Sequence, residues 1–226
     1  MASPPQRKER FEPAIVPVAR PGQAGGVRER NRSRRTQQLC ESALELFLER
    51  GIETTTVDEI TRAAGVAKGT FYRYFNGKAQ LVEALLSPLE LEVEEAMRRC
   101  SQTLSSASSA SELETAYATL AREVMVVLFR SPKVVKLYLQ ENRGPAEGAR
   151  EPIRRLARKM NEGAVLLTEV AHARGLLKDL SARVTAVAVV GAAEGMLVQH
   201  FRGMDFGDAA AATADLIAMV LEGIRR

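Results

Sequence analysis

The side chains best suited to chemistry in this chain of 226 residues are grouped in one short stretch of cationic and hydroxyl residues. The stretch contains Lys68, Thr70, Tyr72, Arg73 and Tyr74. Lysine and arginine bind phosphates and the edges of guanine, and the hydroxyls of tyrosine and threonine donate to phosphate oxygens. This combination predicts a surface that contacts nucleic acid.

The other reactive residues lack the spacing that catalysis or metal binding requires. Cys40 and Cys100 are sixty residues apart, and His172 and His200 have no cysteine or carboxylate partner at ligand spacing. We find no phosphate-binding glycine loop, serine nucleophile elbow or zinc-hydrolase helix in the sequence. We therefore predict a cytoplasmic protein that is not an enzyme, with no cofactor, no metal and reduced thiols. A redox switch at one thiol stays open as an alternative.

Two short helices joined by a tight turn are predicted to position the cationic stretch. Thr56 is a suitable N-cap, and Glu59 three residues later completes a capping box. Gly65 tolerates the left-handed backbone that ends such a helix. A second helix then follows over Ala67–Phe75. A helix, a short turn with glycine and a second helix form a helix-turn-helix.

The second of these helices is predicted to pack with one face and to contact DNA with the others. Phe71 and Phe75 are four residues apart and anchor one face to a core. Gly69 leaves room for close approach of a DNA backbone. Lys78 begins the next helix, where we expect it to reach a phosphate.

The segment GVAKGTFYRYFNGKAQLVEALL resembles the DNA-binding domain of the TetR family of transcriptional regulators. The preceding ALELFLERGIETTTVDEI resembles the first two helices of that domain, so the resemblance covers about Arg35–Leu86. One departure is Ala67, where many members carry serine, and we leave Ala67 out of the contact set. The resemblance implies phosphate contacts from Thr55, Thr56, Tyr72, Tyr74 and Lys78. It places Lys68, Gly69, Thr70 and Arg73 nearest the bases, with base contact by Arg73 inferred from its own chemistry.

The sequence predicts an all-α protein, because alanine, leucine, glutamate and arginine are abundant. We expect helices over Arg35–Arg50, Lys78–Leu86 and Leu89–Leu104, with a break at Ser87 and Pro88. The predicted organisation is a three-helix, helix-turn-helix DNA-binding domain over residues 34–86, followed by a helical bundle over residues 87–226. The bundle would bind an effector and form the dimer.

Positive charge is concentrated at the start of the chain. Residues 1–35 carry nine basic and three acidic side chains, a net charge of +6, whereas the whole chain carries +4. Residues 1–33 are rich in proline and glycine, and we predict a disordered basic arm. The arm is expected to contact phosphates or to lie in a minor groove. A solvated tail that improves solubility is the alternative.

The segment 181–202 is apolar almost all round, so we expect it to be buried on most sides. Arg183 and Glu194 interrupt it, which argues against a membrane span. The resemblance implies that this helix and the last one pair with their copies in a homodimer. An intrachain core is the alternative.

The resemblance also implies a pocket for a small effector between about residues 88 and 205. The alternative is that the candidate lining residues are ordinary members of the core. The hydroxyl of Tyr138 needs a hydrogen-bond partner if it is buried. The candidates are Met125, Phe129, Leu137, Tyr138, Met160, Leu167 and Met196. Nearby, Arg154, Arg155, Arg158 and Lys159 form either a solvated face or a second DNA site.

Together these features predict a homodimeric repressor that binds an operator and leaves it when a small molecule binds. Two reading helices about 34–36 Å apart would enter successive major grooves of a near-palindromic site. An effector-independent DNA-organising or partner-binding protein of the same fold is the alternative. An activator is also open, since sequence does not give the sign of regulation.

Overall fold

The computed structural model describes residues 27–145 and 147–224. Within these ranges the chain is built from α-helices, which confirms the predicted all-α class. A single 3-10 turn, Gly148–Arg150, precedes α7. In chain order the helices are α1 (Val27–Arg50), α2 (Val57–Ala63), α3 (Lys68–Tyr74), α4 (Lys78–Ser106), α5 (Ala110–Arg130), α6 (Pro132–Glu141), α7 (Glu151–Ala173), α8 (Ala182–Phe201) and α9 (Ala209–Ile224).

The first helix begins at Val27, eight residues before the predicted start at Arg35. Residues 27–33 are therefore helical, and the prediction of disorder is wrong for this part of the basic arm. Arginine and glutamate are good helix formers, and extending an existing helix avoids the cost of nucleation. The rest of the arm, residues 1–26, lies outside the described residues.

The fourth helix runs without interruption through Ser87 and Pro88, where the sequence predicted a break. An interior proline removes one helical hydrogen bond and costs about 3 kcal/mol. Leu85, Leu86 and Leu89 are each almost fully buried on either side of it. Burial of one such side chain contributes about 1.5–3 kcal/mol, so packing outweighs the local cost. One helix thus connects the DNA-binding helices to the C-terminal bundle.

The apolar core continues across the predicted domain boundary. One cluster joins Phe47 of α1 and Phe71 of α3 with Leu137 of α6 and Ile153 of α7. A second cluster lies farther along the bundle, and its members are Cys100, Leu104, Leu113, Ala116, Leu167, Ala171, Leu177 and Leu221. The DNA-binding helices therefore share their core with α6 and the first half of α7.

One face of the eighth helix is exposed in the single chain. Ala186 is its one buried residue, while Val184 and Val187 are 69% and 63% exposed. The prediction that this helix is buried on most sides is therefore not met within one chain, and an intrachain core does not cover its exposed face. Among the described helices, α8 alone is long and apolar enough by length and composition to cross a membrane.

Candidate nucleic-acid interface

The start of α2 is held by the predicted capping box. The backbone N–H of Glu59 donates to Oγ1 of Thr56 at 3.2 Å, and the backbone N–H of Thr56 donates to Oε2 of Glu59 at 2.8 Å. These hydrogen bonds from Thr56 lower the pKa of Glu59. Gly65 then adopts a φ of 63°, which confirms the predicted turn between α2 and α3.

The third helix is anchored by aromatic side chains. Phe71 is fully buried and Phe75 is 1% exposed, as predicted. Tyr74 is 9% exposed and belongs to the same core, so its assignment as a phosphate contact is corrected. Tyr74 follows Phe71 by three residues and therefore lies on the same face of the helix. The guanidinium of Arg73 lies 5.2 Å from the centre of the Tyr74 ring.

The opposite side of α3 is open to solvent. Lys68, Gly69, Tyr72 and Arg73 are exposed, and Thr70 is half-buried at the edge. A β-carbon built on Gly69 would meet no atom within 4 Å, so the free protein leaves open space there. The helical periodicity places these four exposed residues on one arc of the helix. This arc, Lys68–Gly69–Tyr72–Arg73, is called the reading face below.

Acidic and basic groups meet at one end of the reading face. Nζ of Lys68 lies 2.7 Å from Oδ1 of Asp58 on α2, and both side chains are more than half exposed. The hydrogen bond to Asp58 raises the pKa of Lys68. Arg62 is exposed one turn after Asp58 and adds a cation that sequence reasoning missed. The helical spacing from Asp58 was the signal that would have found it.

The structure gives Thr55 and Thr56 structural roles. Thr55 is fully buried, and its hydroxyl donates to the carbonyl oxygen of Gly51 at 2.8 Å. Its predicted phosphate contact is therefore wrong, because packing between α1 and α2 covers the side chain. Thr56 is exposed, but its hydroxyl donates to Oε2 of Glu59 at 2.8 Å as part of the cap.

The side chain of Lys78 is bound to the loop that precedes α2. Its Nζ donates to the carbonyl oxygens of Ile52, Glu53 and Thr55 at 2.7, 3.0 and 2.8 Å. An ammonium has three donors, so this geometry uses all of them. In the free protein the ammonium of Lys78 is therefore engaged with the loop, and its predicted phosphate contact stays a prediction.

The seven predicted pocket residues are divided between the two core clusters and the surface. Leu137 and Tyr138 belong to the first core cluster, and Leu167 belongs to the second. Phe129 is 41% exposed at the surface. The remaining three, Met125, Met160 and Met196, are half-buried. Core packing, the alternative considered for these residues, describes Leu137, Tyr138 and Leu167, and a pocket lined by the others stays a prediction.

Tyr138 has the partner that its hydroxyl requires. The hydroxyl donates to Oε1 of Glu194 at 2.6 Å, and Nδ2 of Asn142 donates to the same oxygen at 3.1 Å. Burial raises the pKa of Tyr138. Sequence reasoning missed Asn142 and Glu194, although a lone carboxylate in an apolar helix was a visible signal.

A small cavity of about 170 Å³ opens instead between α4 and α5. Arg99 and Glu123 form an ion pair of 2.8 Å at its wall. Its lining residues are Ala96, Arg99, Cys100, Thr103, Thr115, Ala116, Thr119, Leu120 and Glu123. None of the predicted pocket residues takes part.

The basic run on α7 serves largely to hold α7 against its neighbours. Arg155 pairs with Glu83 of α4 at 2.7 Å. Lys159 pairs with Glu90 and Glu94 of α4 at 2.5 and 2.7 Å. These cations are engaged within the chain, which disfavours a second DNA site on this helix.

Comparison with known proteins places this geometry in a family. A family model described as bacterial regulatory proteins of the tetR family matches residues 39–85, which include all of α2 and α3. Residues 39–85 form a DNA-binding domain of the tetR family type. The matched span contains the capping box, the Gly65 turn and the whole reading face, so the family resemblance predicted from the sequence is confirmed.

The curated relatives of this chain are bacterial transcriptional regulators. The regulator TcmR of Streptomyces glaucescens is 33% identical over 130 residues, which is 52% of this chain and 58% of TcmR. The chain spans only 28 to 58% of the length of the first curated relatives that it matches. Similarity outside the DNA-binding helices is therefore limited.

Solved structures of the same architecture extend over nearly the whole chain. NalD, a repressor of a multidrug efflux pump in Pseudomonas aeruginosa, has a TM-score of 0.68 at 23% identity, covering 87% of this chain and 98% of NalD. A complex of SmeT, a Stenotrophomonas maltophilia repressor, with triclosan has a TM-score of 0.66 at 17% identity, covering 85% and 92%. Both agree in an N-terminal helix-turn-helix domain and a helical C-terminal part.

Proposed function

We propose that this TetR-family protein is a sequence-specific DNA-binding transcriptional regulator. It acts as a cytoplasmic homodimeric repressor that leaves its operator when a small molecule binds. The observation that carries the proposal is the reading face of α3, which is exposed and bears Lys68 and Arg73 while Phe71 on the other side is fully buried. A helix held in this way presents its polar side to a major groove.

Within this proposal the contacts divide into reading and positioning. Lys68, Gly69, Thr70 and Arg73 lie nearest the bases, and Tyr72 holds a phosphate through its exposed hydroxyl. Lysine and arginine donate to the acceptors of guanine, whereas contacts to phosphate set the register without reading sequence. We leave Thr55, Tyr74 and Lys78 out of the proposed contact set, because the first two are buried and the ammonium of Lys78 binds loop carbonyls.

The dimer is proposed to form through α8 and α9. Val184, Val187 and Met219 are 69%, 63% and 65% exposed in one chain, which is unusual for large apolar residues on consecutive helices. Association with a second copy would remove this surface from water, a gain of about 25 cal/mol per Å². A two-fold dimer also presents two reading helices to a near-palindromic operator, about 34–36 Å apart.

The effector is proposed to act on the C-terminal helices, residues 87–226 in the predicted division of the chain. The SmeT complex with triclosan supports a small-molecule ligand for proteins of this fold. The effector lowers DNA affinity only if it prefers the conformation that does not fit the operator. Continuity of α4 from the DNA-binding helices into the bundle offers a direct mechanical connection.

The experiment that tests the proposal is a fluorescence-anisotropy titration of the purified protein with its own upstream intergenic DNA, with random DNA as competitor. Tight binding that resists competition, at two protomers per two-fold site, is the expected result. Binding that is no tighter than binding to random DNA would move the search to distant operators and count against autoregulation.

A second candidate is an effector-independent DNA-organising or partner-binding protein. In this candidate the cavity of about 170 Å³ between α4 and α5 holds no effector, since it is smaller than the usual ligand pocket of about 300–1,000 Å³. Mapping of binding sites across the genome separates the candidates. A few sites at promoters support the repressor, whereas many scattered sites support the organising role.

A further inference from the structure

The loop that connects α1 to α2, residues 51–55, is held from two sides at Ile52. The backbone N–H of Ile52 donates to Oε1 of Glu141 on α6 at 3.1 Å. The carbonyl oxygen of the same residue accepts from Nζ of Lys78 on α4 at 2.7 Å. The Ile52 side chain is fully buried in the core that the DNA-binding helices share with α6. One residue of the loop therefore connects the start of α4 with the end of α6.

Lys78 holds more of the loop than this one residue. The same ammonium also binds the carbonyl oxygens of Glu53 and Thr55. Thr56, the N-cap of α2, follows directly. The position of the loop therefore sets where α2 starts, and α3 follows α2 after a four-residue turn. A shift of the loop is transmitted to the reading face.

Glu141 is a buried carboxylate with a charge partner. It is 4% exposed, and its Oε2 accepts from Nε of Arg150 at 2.5 Å. A buried ion of this kind is costly to leave unpaired, so both contacts are needed to hold it. Gly51 allows the loop to come this close, since its φ is 89° and an added β-carbon would lie 3.2 Å from Oε1 of Glu141.

We propose that Lys78 and Glu141 are positioning residues for DNA recognition, and that they act through the 51–55 loop rather than on DNA. The inference rests on the proposed DNA-binding function. Lys78 ties the loop to α4 and Glu141 ties it to α6, so the orientation of α2 and α3 depends on both helices. Loss of either residue misaligns the reading face relative to the bases. The number of phosphate contacts stays the same.

A phosphate contact and a positioning role give different measurable results for Lys78. Loss of a phosphate contact weakens binding to every sequence alike and lowers the slope of log affinity against log salt by about one. Loss of positioning lowers the preference for the operator over random DNA and leaves the salt slope unchanged.

The experiment compares wild type with Lys78→Met and with the control Lys136→Met. Lys136 is an exposed lysine of α6, so the control removes the same charge from the surface. The probe is a duplex selected from a random pool by the wild-type protein, and a shuffled duplex serves as reference. Both affinities are measured over a series of KCl concentrations, with circular dichroism to verify that the variants are folded.

For Lys78→Met we expect the ratio of the affinity for the selected duplex to that for the shuffled duplex to fall by roughly tenfold, comparable to the effect of one mismatched base pair. The slope of log affinity against log salt should equal that of Lys136→Met. An equal loss on both duplexes with a slope lower by about one assigns Lys78 to a phosphate and overturns the proposal. An unchanged ratio also overturns it.

Glu141→Gln supplies a second variant that keeps an acceptor for Ile52 but loses the ion pair with Arg150. We expect a smaller fall in the same ratio, again without a change of slope. Amide hydrogen exchange at residues 51–57 is measured on both variants without DNA. Faster exchange than in wild type is expected. Unchanged exchange in both variants would overturn the proposal that Lys78 and Glu141 hold the 51–55 loop.

The exchange measurement also separates failure of the proposed DNA-binding function from failure of the loop-holding role of Lys78 and Glu141. If the wild-type protein selects no preferred duplex, the proposed function fails. Faster loop exchange in the variants would then still support the holding of the 51–55 loop between α4 and α6. Unchanged exchange would reject this structural role as well.

Discussion

The ammonium of Lys68 lies 2.7 Å from the carboxylate of Asp58, so an acidic side chain of α2 neutralises a cation of the reading face in the free protein. Both groups are exposed to solvent, where ion pairs are weak and easily exchanged. In the proposed DNA complex a base or a phosphate replaces Asp58 as the partner of Lys68. Asp58 then competes with DNA for this cation.

Replacement of Asp58 by asparagine is expected to strengthen binding to all DNA by roughly threefold. The change releases Lys68 from its ion pair and removes a negative charge that the DNA phosphates repel. The measurement is an anisotropy titration with operator and with random DNA at two salt concentrations. Asp179→Asn, which removes an exposed charge near the end of α7, is the matched control. Equal affinities of Asp58→Asn and wild type would argue that the pair does not compete with DNA.

Gly69→Ala is expected to raise the stability of the fold and to lower the affinity for DNA. The added methyl group meets no atom within 4 Å in the free protein, so the free energy of unfolding should rise by about 0.5–1 kcal/mol through better helix propensity. Operator affinity should fall, because the methyl group projects where DNA approaches. Urea unfolding and a binding titration measure the two effects. Unchanged operator affinity in the more stable variant would remove Gly69 from the interface.

Glu59 should make the stability of α2 depend on pH. The hydrogen bonds from Thr56 lower the pKa of this carboxyl below its ordinary value of 4.5. A lowered pKa contributes stability that is present in full above pH 4.5 and is lost as pH falls through the lowered value. Wild type should exceed Glu59→Gln in stability near pH 6, and the difference should disappear in acid. Urea unfolding over pH 2–7 checks this, and a difference that stays constant with pH would contradict it.

Both cysteines are expected to be inert in the folded protein. Burial raises the pKa of Cys40 and of Cys100 to about 12, so almost no thiolate exists near neutral pH. A thiol reagent such as DTNB should label neither residue at pH 8 and both in concentrated urea. Rapid labelling of one thiol in the folded state would reopen the redox switch, which the burial of both residues disfavours.

Arg34 and Arg35 extend the positive charge of α1 toward its start. Both are exposed and have no ion-pair partner among the side chains that the structure describes. Replacing both by alanine should lower the salt slope by up to about two per protomer, with the same loss on operator and random DNA. The control is alanine at Arg143 and Arg158, which are exposed in the C-terminal part. An unchanged slope would assign the basic segment to solubility.

Features that depend on neighbours in sequence were predictable. The capping box of Thr56 and Glu59 and the turn at Gly65 follow from contacts between residues at most five positions apart. The four-residue spacing of Phe71 and Phe75 places both on the face of α3 that is buried. Backbone preference and helical periodicity act over the same short distance, so residue types were sufficient evidence. The family resemblance was strong for the same reason, since its motif lies within one continuous stretch.

Features that depend on distant segments were not accessible in this way. The loop carbonyls bound by Lys78 lie 23 to 26 positions before it, and Ile52 and Glu141 are 89 apart. Whether a lysine faces DNA or a loop depends on which helices pack beside it, as does the choice between pocket and core for Tyr138. Apolar composition likewise identified α8 as a helix that needs a partner, but its exposure in one chain became visible only once α6 and α7 were packed against it.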